Sequence, residues 1–325
     1  MGGSVDNLFQ NKIDKFFKEG SHDVTAYDIV FISVQECIQR LRTQRTNALE
    51  TYLAQKGFAN IDQQNGLVFM YQMFMIGFVK KPLMADVTKV TASYLAKGKN
   101  LLVASVGNKG GLGYSFNFRN RIFNFIGCHL QHKMDKQAKR NQMSRDLIAE
   151  IKMQQVQTKV NGLESDVVGD FCFYFGDMNY RLKTTFQALD NSNVQQQAVG
   201  MIETHDQLIE AQQTGHYPGY QEHPIDFLPS YKLSNYERQV YVNKKDQAPS
   251  YCDRVLYKNN MAIKAKPLSY ESLDECYGSD HRPVVLQLAL RHFERVRYWE
   301  FAPLTRFSGT SEVSSEVGVI DFDYL

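Results

Sequence analysis

Polar residues that can handle metal ions and phosphates follow apolar runs at several points of the sequence. The run Asp28–Val34 leads into Gln35-Glu36, and the run Asp170–Phe175 leads into a Gly-Asp-Met-Asn segment. The candidate side chains are Glu36, His129, Asp177, Asn179, Asp253, Arg254, Asp280 and His281. In α/β architectures the carboxyl ends of the strands open onto clefts. We therefore expect these side chains to share one cleft.

The acidic residues indicate hydrolysis of a phosphate ester with help from a divalent cation. Glu36 can bind Mg²⁺, because this cation keeps several of its waters and needs only one or two carboxylates. Asp177 and Asn179 are two positions apart, so on an extended segment they lie on the same side. A carboxylate beside a carboxamide can take a proton from water and hold that water in place.

An Asp-His pair and a further aspartate predict a phosphate-binding imidazole. Asp253, from one strand, can orient the ring of His281 against a scissile phosphate, with Asp280 beside it. His129 and Arg254 add hydrogen-bond donors for phosphate oxygens.

Taken one at a time, these residues also fit ordinary structural roles. Glu36 fits a solvated surface residue, and Asp177 with Asn179 fits an Asx turn. Asp280-His281 fits a strand-start cap, and the glycines of Gly107–Gly111 fit a hairpin turn. Their joint occurrence in this order favours a functional site.

The composition is that of an ordinary globular protein, which excludes several classes. The 325 residues are 43% hydrophobic and 22% charged, which provides a sizeable core and argues against a disordered chain. A net charge of +2 argues against a dedicated nucleic-acid coat. The longest apolar stretch, Gly66–Val79, is too short to span a membrane, and we expect no signal peptide. Five cysteines without a C-x-x-C pair predict reduced thiols and a cytoplasmic location.

The order of the apolar runs predicts the fold class. We expect helices over residues 38–56 and 136–153, and strands at Asp28–Val34, Leu101–Val106, Gly113–Phe118, Arg121–Leu130, Asp170–Phe175 and Arg282–Leu290. Strands and helices alternate, but several strand pairs have only short connections, which argues against an all-parallel sheet. Two mixed sheets packed face to face, with helices outside, satisfy both observations.

Seven segments, taken in order, resemble the inositol polyphosphate 5-phosphatase family of the endonuclease/exonuclease/phosphatase superfamily. They are VQE (34–36), GNKGGLGYSF (107–116), HLQHKMDKQAKRN (129–141), FYFGDMNYRL (173–182), FLPSYK (227–232), APSYCDRVL (248–256) and SDHRPV (279–284). The GDMNYRL and PSYCDRVL segments are the most specific. The resemblance implies an α/β fold in four layers, an αββα sandwich of two mixed β-sheets flanked by helices. It also implies an enzyme that binds Mg²⁺ and removes the 5-phosphate from phosphoinositides or soluble inositol polyphosphates.

The resemblance also assigns roles to the matching residues. It implies that Glu36 binds the metal, that Asp177 activates the attacking water, and that Asn179 holds this water and a phosphate oxygen. His281, braced by Asp253, would contact the scissile phosphate. The resemblance further implies that His129 contacts the same phosphate and that Asp280 lies beside the metal. The residues implied to bind substrate are Arg254, Asn141 and Arg140, together with Tyr231, Lys232 and Lys245 at a neighbouring 4-phosphate.

The sequence departs from the family pattern at several positions. Tyr251 stands where Trp is usual, and Lys133 where a second His is frequent. Gln247 replaces a frequent Arg, which weakens the expected recognition of a 4-phosphate. The family's opening strand ends in Thr-Trp-Asn, whereas this sequence begins Met1-Gly2-Gly3-Ser4, which resembles the residues directly after that Asn. We therefore expect the first core strand to be missing, through truncation or a start codon assigned too late.

These observations predict a Mg²⁺-dependent inositol polyphosphate 5-phosphatase domain over residues 1–290, followed by a C-terminal tail of unknown role over residues 291–325. We expect a monomer that binds no nucleic acid. A basic region after His129 predicts a polyanionic headgroup as substrate and peripheral contact with the anionic cytosolic face of membranes, although a solvated helix face explains the same lysines. Its residues are Lys133, Lys136, Lys139, Arg140 and Arg145.

Two other functions stay open on the sequence. A nuclease of the same fold would share the glutamate, the Asp-x-Asn segment and the Asp-His pair. A catalytically weak or inactive phosphoinositide-binding protein would account for a missing front strand.

Overall fold

The chain forms two β-sheets that pack face to face, with helices on both outer faces. The computed structural model of the protein describes residues 13, 15–17, 23–97, 109–154, 159–160, 163–164, 169–187, 193–243, 246–259, 263–292 and 313–323. Of the predicted elements, the strand Leu101–Val106 lies outside the described residues.

The larger sheet is built from both ends of the sequence. Its strands are β1 (Ile29–Gln35), β2 (Phe58–Asn60), β3 (Val68–Met70), β4 (Met73–Lys80), β12 (Ile263–Ser272), β13 (Val284–His292) and β14 (Val313–Asp323). Their spatial order is β12-β13-β14-β1-β4-β2, with β3 also beside β4. Strands β1 and β14 are parallel, and the other neighbours are antiparallel.

The smaller sheet comes from the middle of the sequence. Its strands are β5 (Val87–Ala96), β6 (Gly110–Phe118), β7 (Arg121–His129), β10 (Phe171–Asp177) and β11 (Asp253–Asn259). They are ordered β11-β10-β7-β6-β5, and β7 and β10 are the parallel pair. A separate two-stranded ribbon joins β8 (Lys159–Val160) to β9 (Leu163–Glu164).

Aromatic side chains fill the space between the two sheets. Phe31 of β1 stacks on Phe125 of β7 with 3.7 Å between ring centroids, and Phe125 stacks on Phe173 of β10 at 4.8 Å. Gly77 of β4 makes room for this stack, since a Cβ there would lie 2.4 Å from the Phe31 ring. Burial of each such ring stabilises the fold by about 1.5–3 kcal/mol, so this stack holds the sheets together.

Four α-helices lie in the described ranges of the chain. They are α1 (Gln39–Gln55), α2 (Gln137–Glu150), α3 (Val194–His205) and α4 (Gln207–Gln213). Helix α1 packs Leu49 and Leu53 against the outer face of the larger sheet. Helix α2 packs Met143 and Leu147 against the outer face of the smaller one. These layers confirm the predicted αββα sandwich.

The region predicted as a C-terminal tail contributes strand β14 to the larger sheet. This strand lies between β13 and β1. The boundary at residue 290 stays a prediction. The expected loss of a first core strand concerns residues that precede the described part of the chain, and it also stays a prediction.

None of the helices in the described ranges is long and apolar enough to cross a membrane. All five cysteines are buried. The cytoplasmic location inferred from their number and spacing stays a prediction.

Candidate active site

Two strands of the smaller sheet end, and a third begins, side by side, which brings three candidate residues to one edge of the sheet. In the parallel pair, Asp177 at the end of β10 is in register with His129 at the end of β7. In the antiparallel pair, Asp177 is also opposite Asp253, the first residue of β11. Gly176 permits this close approach, because a Cβ at its position would lie 2.2 Å from the backbone oxygen of Cys128.

A carboxylate from the larger sheet meets this edge. Nε2 of His129 lies 3.0 Å from Oδ2 of Asp177 and 3.6 Å from Oε1 of Glu36. Glu36 follows β1 and has a φ of 49°, a left-handed conformation that is uncommon for this residue type. The ammonium group of Lys109 also contacts Nε2 of His129. The structure thus brings Glu36, His129 and Asp177 together. Glu36 follows a strand of the larger sheet, whereas the other two end strands of the smaller one.

Asp177 and His129 form a buried pair in which Asp177 carries a negative charge. Burial alone would raise the pKa of Asp177, but the hydrogen bond from His129 and the nearby charges of His281 and Lys109 outweigh it, so the pKa is lowered. Burial and the charge of Lys109 lower the pKa of His129. At neutral pH, therefore, Asp177 is ionised and His129 is neutral.

Asn179 is held in place by both its backbone and its side chain. Its backbone N–H donates to Oδ1 of Asp177 at 2.9 Å, and its φ of 54° turns the chain sharply after β10. Its side-chain amide donates to Oδ2 of Asp177 and to the backbone oxygen of Leu130. Arg181 donates to Oδ1 of Asn179, so the orientation of the amide is fixed.

The second histidine lies where the two sheets meet. Nδ1 of His281 lies 3.0 Å from Oδ2 of Asp253, and Ser230 donates to the same oxygen at 2.5 Å. Burial would lower the pKa of His281, but the charges of Asp253, Asp177 and Asp280 and the hydrogen bond to Asp253 outweigh it, so the pKa is raised. His281 is therefore positively charged over a wider pH range than an ordinary histidine.

A cleft of about 660 Å³ opens beside these residues. Glu36, Lys232 and Asp280 line it. Lys232 forms an ion pair with Asp280, and the Tyr231 ring lies 4.4 Å from the His281 ring. The predicted substrate residues Tyr231 and Lys232 thus lie beside the predicted catalytic residues His281 and Asp280. Lys245, the third residue predicted for the 4-phosphate, lies outside the described residues.

Arg254 is held by acidic residues in the interior. Its guanidinium group donates to both carboxylate oxygens of Asp206, at 3.0 and 3.1 Å, and to both of Glu222, at 2.7 and 2.6 Å. The side chain is fully buried. This geometry favours a structural role for Arg254 over the predicted contact with substrate.

Arg140 and Asn141 are also engaged inside the protein. Arg140 donates to the backbone oxygens of Gln131 and Lys133, at 3.0 and 2.6 Å, and burial lowers its pKa to about 10. Asn141 accepts a hydrogen bond from the hydroxyl of Tyr180 at 2.7 Å. These contacts shape the loop after His129 and the segment after Asp177, and a direct contact with substrate stays a prediction. Arg140, being buried, adds nothing to the predicted basic surface.

Comparison with known proteins shows the family to which the chain belongs. The family model described as Endonuclease/Exonuclease/phosphatase family 2 matches residues 5–287. The chain belongs to this family.

Curated relatives within the family carry names of inositol lipid phosphatases. The human phosphatidylinositol polyphosphate 5-phosphatase type IV is 30% identical over 281 residues, which are 84% of this chain and 42% of the relative. The phosphatidylinositol 3,4,5-trisphosphate 5-phosphatase 2A of Danio rerio is 29% identical over 193 residues, which are 57% of this chain and 15% of the relative. The chain thus spans less than half the length of these relatives. The resemblance predicted from the motifs is confirmed.

Solved structures share the fold at lower identity. The inositol polyphosphate 5-phosphatase domain of SPsynaptojanin, in complex with inositol (1,4)-bisphosphate and calcium ion, superposes with a TM-score of 0.65 at 21% identity over 90% of this chain and 76% of that chain. Cimex nitrophorin in its ferrous NO complex gives 0.59 at 21% identity over 81% and 86%. At such identities the likeness concerns the fold alone, and one fold can host several functions.

Three residues to which the motifs assigned no role contact the predicted site residues. Lys109 contacts His129, Arg181 contacts Asn179, and Ser230 contacts Asp253. Each lies inside one of the segments that carry the resemblance. Their position in these segments could have drawn attention to them in the sequence. Only the structure, however, shows which side chains they contact.

The carboxylate of Glu36 is suited to bind a divalent cation. Among the described side chains, no three His, Cys, Asp or Glu residues form a metal cluster by themselves. Mg²⁺ uses one or two carboxylates and completes its shell with waters and substrate phosphates. Glu36 lines the open cleft with a partly exposed side chain, so it meets that requirement.

Proposed function

We propose that this domain is a divalent-cation-dependent phosphomonoesterase that removes the 5-phosphate from phosphoinositides or soluble inositol polyphosphates, with Mg²⁺ as the cation. One observation carries the proposal. Two Asp-His pairs, Asp177 with His129 and Asp253 with His281, lie with Asn179 next to the cleft that Glu36, Lys232 and Asp280 line. Such a site can hold a phosphate group and activate water beside it.

Asp177 is the group that takes a proton from the attacking water. Its lowered pKa keeps it ionised, and Asn179 is fixed beside it to hold the water. As the water oxygen bonds to phosphorus, the ester bond breaks, and the inositol oxygen leaves with the bonding electrons and takes a proton from solvent. Positioned general bases of this kind contribute about 10²–10⁴-fold to a rate.

His281 stabilises the charge on the phosphate. Its raised pKa favours the protonated form, and Asp253 fixes the ring through Nδ1. A fixed positive charge at the developing negative charge lowers the barrier, since it needs no reorganisation during the reaction. A cation bound at Glu36 would supply Lewis-acid polarisation of a phosphate oxygen.

A membrane-bound substrate suits the surface beside the cleft. Tyr236 and Val242 line the cleft and are exposed, Tyr236 by 88%. Exposed aromatic and apolar residues next to a site that binds anions favour contact with a lipid surface. We therefore include peripheral contact with the cytosolic face of membranes in the proposal.

Phosphate release tests the proposal directly. Phosphatidylinositol 4,5-bisphosphate, the 3,4,5-trisphosphate and inositol 1,4,5-trisphosphate would each be assayed with Mg²⁺ and with a chelator. We expect release that needs the cation and is lost in Asp177→Ala. Plasmid nicking without phosphate release would instead indicate the nuclease, and headgroup binding without turnover would indicate the inactive binding protein.

A further inference from the structure

The cleft beside the catalytic residues has two walls that come from different parts of the sequence. The first wall is the segment of residues 232–242, of which residues 232–236 and 242 line the cleft. The second wall is the segment of residues 278–280, which leads into His281 and also lines the cleft. Whatever holds these two walls together therefore determines the shape of the cleft.

The first wall folds back on itself as a short hairpin. The backbone N–H of Ser234 donates to the oxygen of Val240 at 2.6 Å, and that of Val242 donates to the oxygen of Lys232 at 3.0 Å. In its turn, the backbone N–H of Tyr236 donates to the hydroxyl of Ser234 at 3.2 Å. A two-stranded hairpin is marginally stable by itself in water. Contacts from outside the hairpin are therefore needed to fix its position.

The guanidinium group of Arg282 makes such contacts and joins the two walls. Its Nη1 donates to the backbone oxygen of Ser279 in the second wall at 2.8 Å. Its Nη2 donates to the backbone oxygens of Ser234 and Glu237 in the first wall, at 3.0 Å each. The side chain of Arg282 is fully buried, so it does not contact a substrate in the cleft. Each wall is thus held by one nitrogen of the same group.

The chemistry of the guanidinium group explains why an arginine suits this position. The group is planar and its donors form a rigid fork, whereas the ammonium group of lysine is a single point charge. A rigid fork between two sets of carbonyl groups fixes the distance between them. The carbonyl groups in turn offset the cost of burying the charge.

Backbone hydrogen bonds join the same two segments next to Arg282. The N–H of Leu233 donates to the oxygen of Asp280 at 2.9 Å, and the N–H of Arg282 donates to the oxygen of Ser230 at 2.9 Å. The side chains of Lys232 and Asp280 form the ion pair that lines the cleft between the walls. The position of the hairpin therefore affects where both charges lie.

We propose that Arg282 is a positioning residue that sets the spacing between the two walls of the cleft and thereby the affinity for an inositol phosphate headgroup. A cleft that already has its binding shape loses less conformational freedom when a ligand binds, which increases affinity. The headgroup part rests on the function proposed above, whereas the joining of the walls does not.

Hydrogen exchange tests the joining of the walls without any ligand. The amides of Ser234 and Val242 should exchange about tenfold faster or more in Arg282→Met than in the intact chain, since the hairpin opens locally, and the amides of β10 should keep their rates. Arg282→Lys, which can hold only one wall, should give an intermediate rate and serves alone if Arg282→Met does not fold. Equal rates in variant and intact chain, or an equal increase in β10, would overturn the joining role.

Headgroup binding tests the consequence for the cleft. Calorimetric titration with inositol 1,4,5-trisphosphate, in the presence of a chelator that prevents turnover, would compare the intact chain with the same variants. We expect affinity to fall about tenfold or more in Arg282→Met and by less in Arg282→Lys. The control Arg121→Met removes an arginine that is only 12% exposed, at the other end of β7 from His129, and should leave affinity unchanged. Unchanged affinity in Arg282→Met, or the same loss in the control, would overturn the headgroup part.

The two assays separate this inference from the proposed function. Phosphate release by the intact chain, together with unchanged affinity in Arg282→Met, would overturn the inference and leave the proposed function standing. Headgroup binding that depends on Arg282, without any release of phosphate, would overturn the proposed function and leave the inference standing. If the intact chain bound no headgroup, the headgroup part would fail with the proposed function, and the exchange rates would still decide whether Arg282 joins the walls.

Discussion

His281 and Asp253 form a 3.0 Å hydrogen bond between the two sheets, since Asp253 begins β11 and His281 precedes β13. Ser230 donates to the same carboxylate, so Asp253 is fixed from two sides. Because Nδ1 of His281 is taken by this bond, a phosphate oxygen would be bound through Nε2. Packing of the sheets thus determines where the charge of His281 lies, next to the cleft that Asp280 lines.

The first prediction concerns this pair and pH. The charge of Asp253 helps to raise the pKa of His281, and the protonated form is the active one, so activity falls as pH rises through that pKa. In Asp253→Asn the pKa falls, and the alkaline limb of the profile of kcat/KM against pH should move to lower pH. The control Asp135→Asn, an exposed site, should leave the limb in place. An unmoved limb in Asp253→Asn would show that His281 does not govern it.

The same shift predicts how folding stability depends on pH. The folded pKa of His281 is raised, so its contribution to the free energy of unfolding is fully present below the unfolded pKa of about 6.5. That contribution is lost as pH rises through the folded pKa. Urea titrations from pH 6 to pH 9 should show a smaller loss of stability in His281→Gln than in the intact chain. Parallel losses in both proteins would contradict the assignment.

A further prediction concerns the general base. Asp177→Asn keeps the shape of the side chain but removes the proton acceptor, so kcat should fall about 10²–10⁴-fold. Glu203→Gln, on the exposed side of α3, is the matched control and should keep full activity. Phosphate release measures both. If Asp177→Asn kept more than a tenth of the normal kcat, a group other than Asp177 would accept the proton of the attacking water.

The centre of this site could be predicted from sequence because its residues follow apolar strands. Glu36, His129 and Asp177 each end or follow a run of buried residues, and such strand ends meet at one edge. The local motifs were therefore sufficient to predict that these three side chains lie close together. The αββα layering could be predicted for the same reason, since strand length and short connections are local properties.

The roles of the arginines could not be predicted this way. Arg254 lies in a site motif, but its partners Asp206 and Glu222 are 48 and 32 positions away, and the sequence does not show that the three side chains meet. Strand β14 was missed for a similar reason. Its partner β1 is distant in sequence, and its polar residues weaken the strand pattern.

Arg181 is predicted to be a positioning residue. It donates to Oδ1 of Asn179 and stacks 4.2 Å from the ring centroid of Tyr231, so it links substrate contact to the water-holding amide. A hydrogen bond to a charged group contributes about 1.5–3 kcal/mol, which corresponds to about 10–100-fold in rate. Arg181→Met should lower kcat by that factor with little change in KM, and Arg181→Lys should recover only part of it. A loss confined to KM, or the same loss in the exposed Arg145→Met, would contradict this role.

The final prediction separates a structural role from substrate binding at Arg254. Arg254→Met leaves the carboxylates of Asp206 and Glu222 buried without their cation, and removing one partner of a buried ion pair costs about 3–5 kcal/mol. Urea denaturation should show this loss, whereas Arg238→Met, at an exposed pair, should stay within about 1 kcal/mol of the intact chain. If Arg254 bound substrate instead, stability would be kept and KM would rise. The two roles therefore predict opposite results from one variant, because only the structural role leaves two carboxylates buried and unpaired in the absence of substrate.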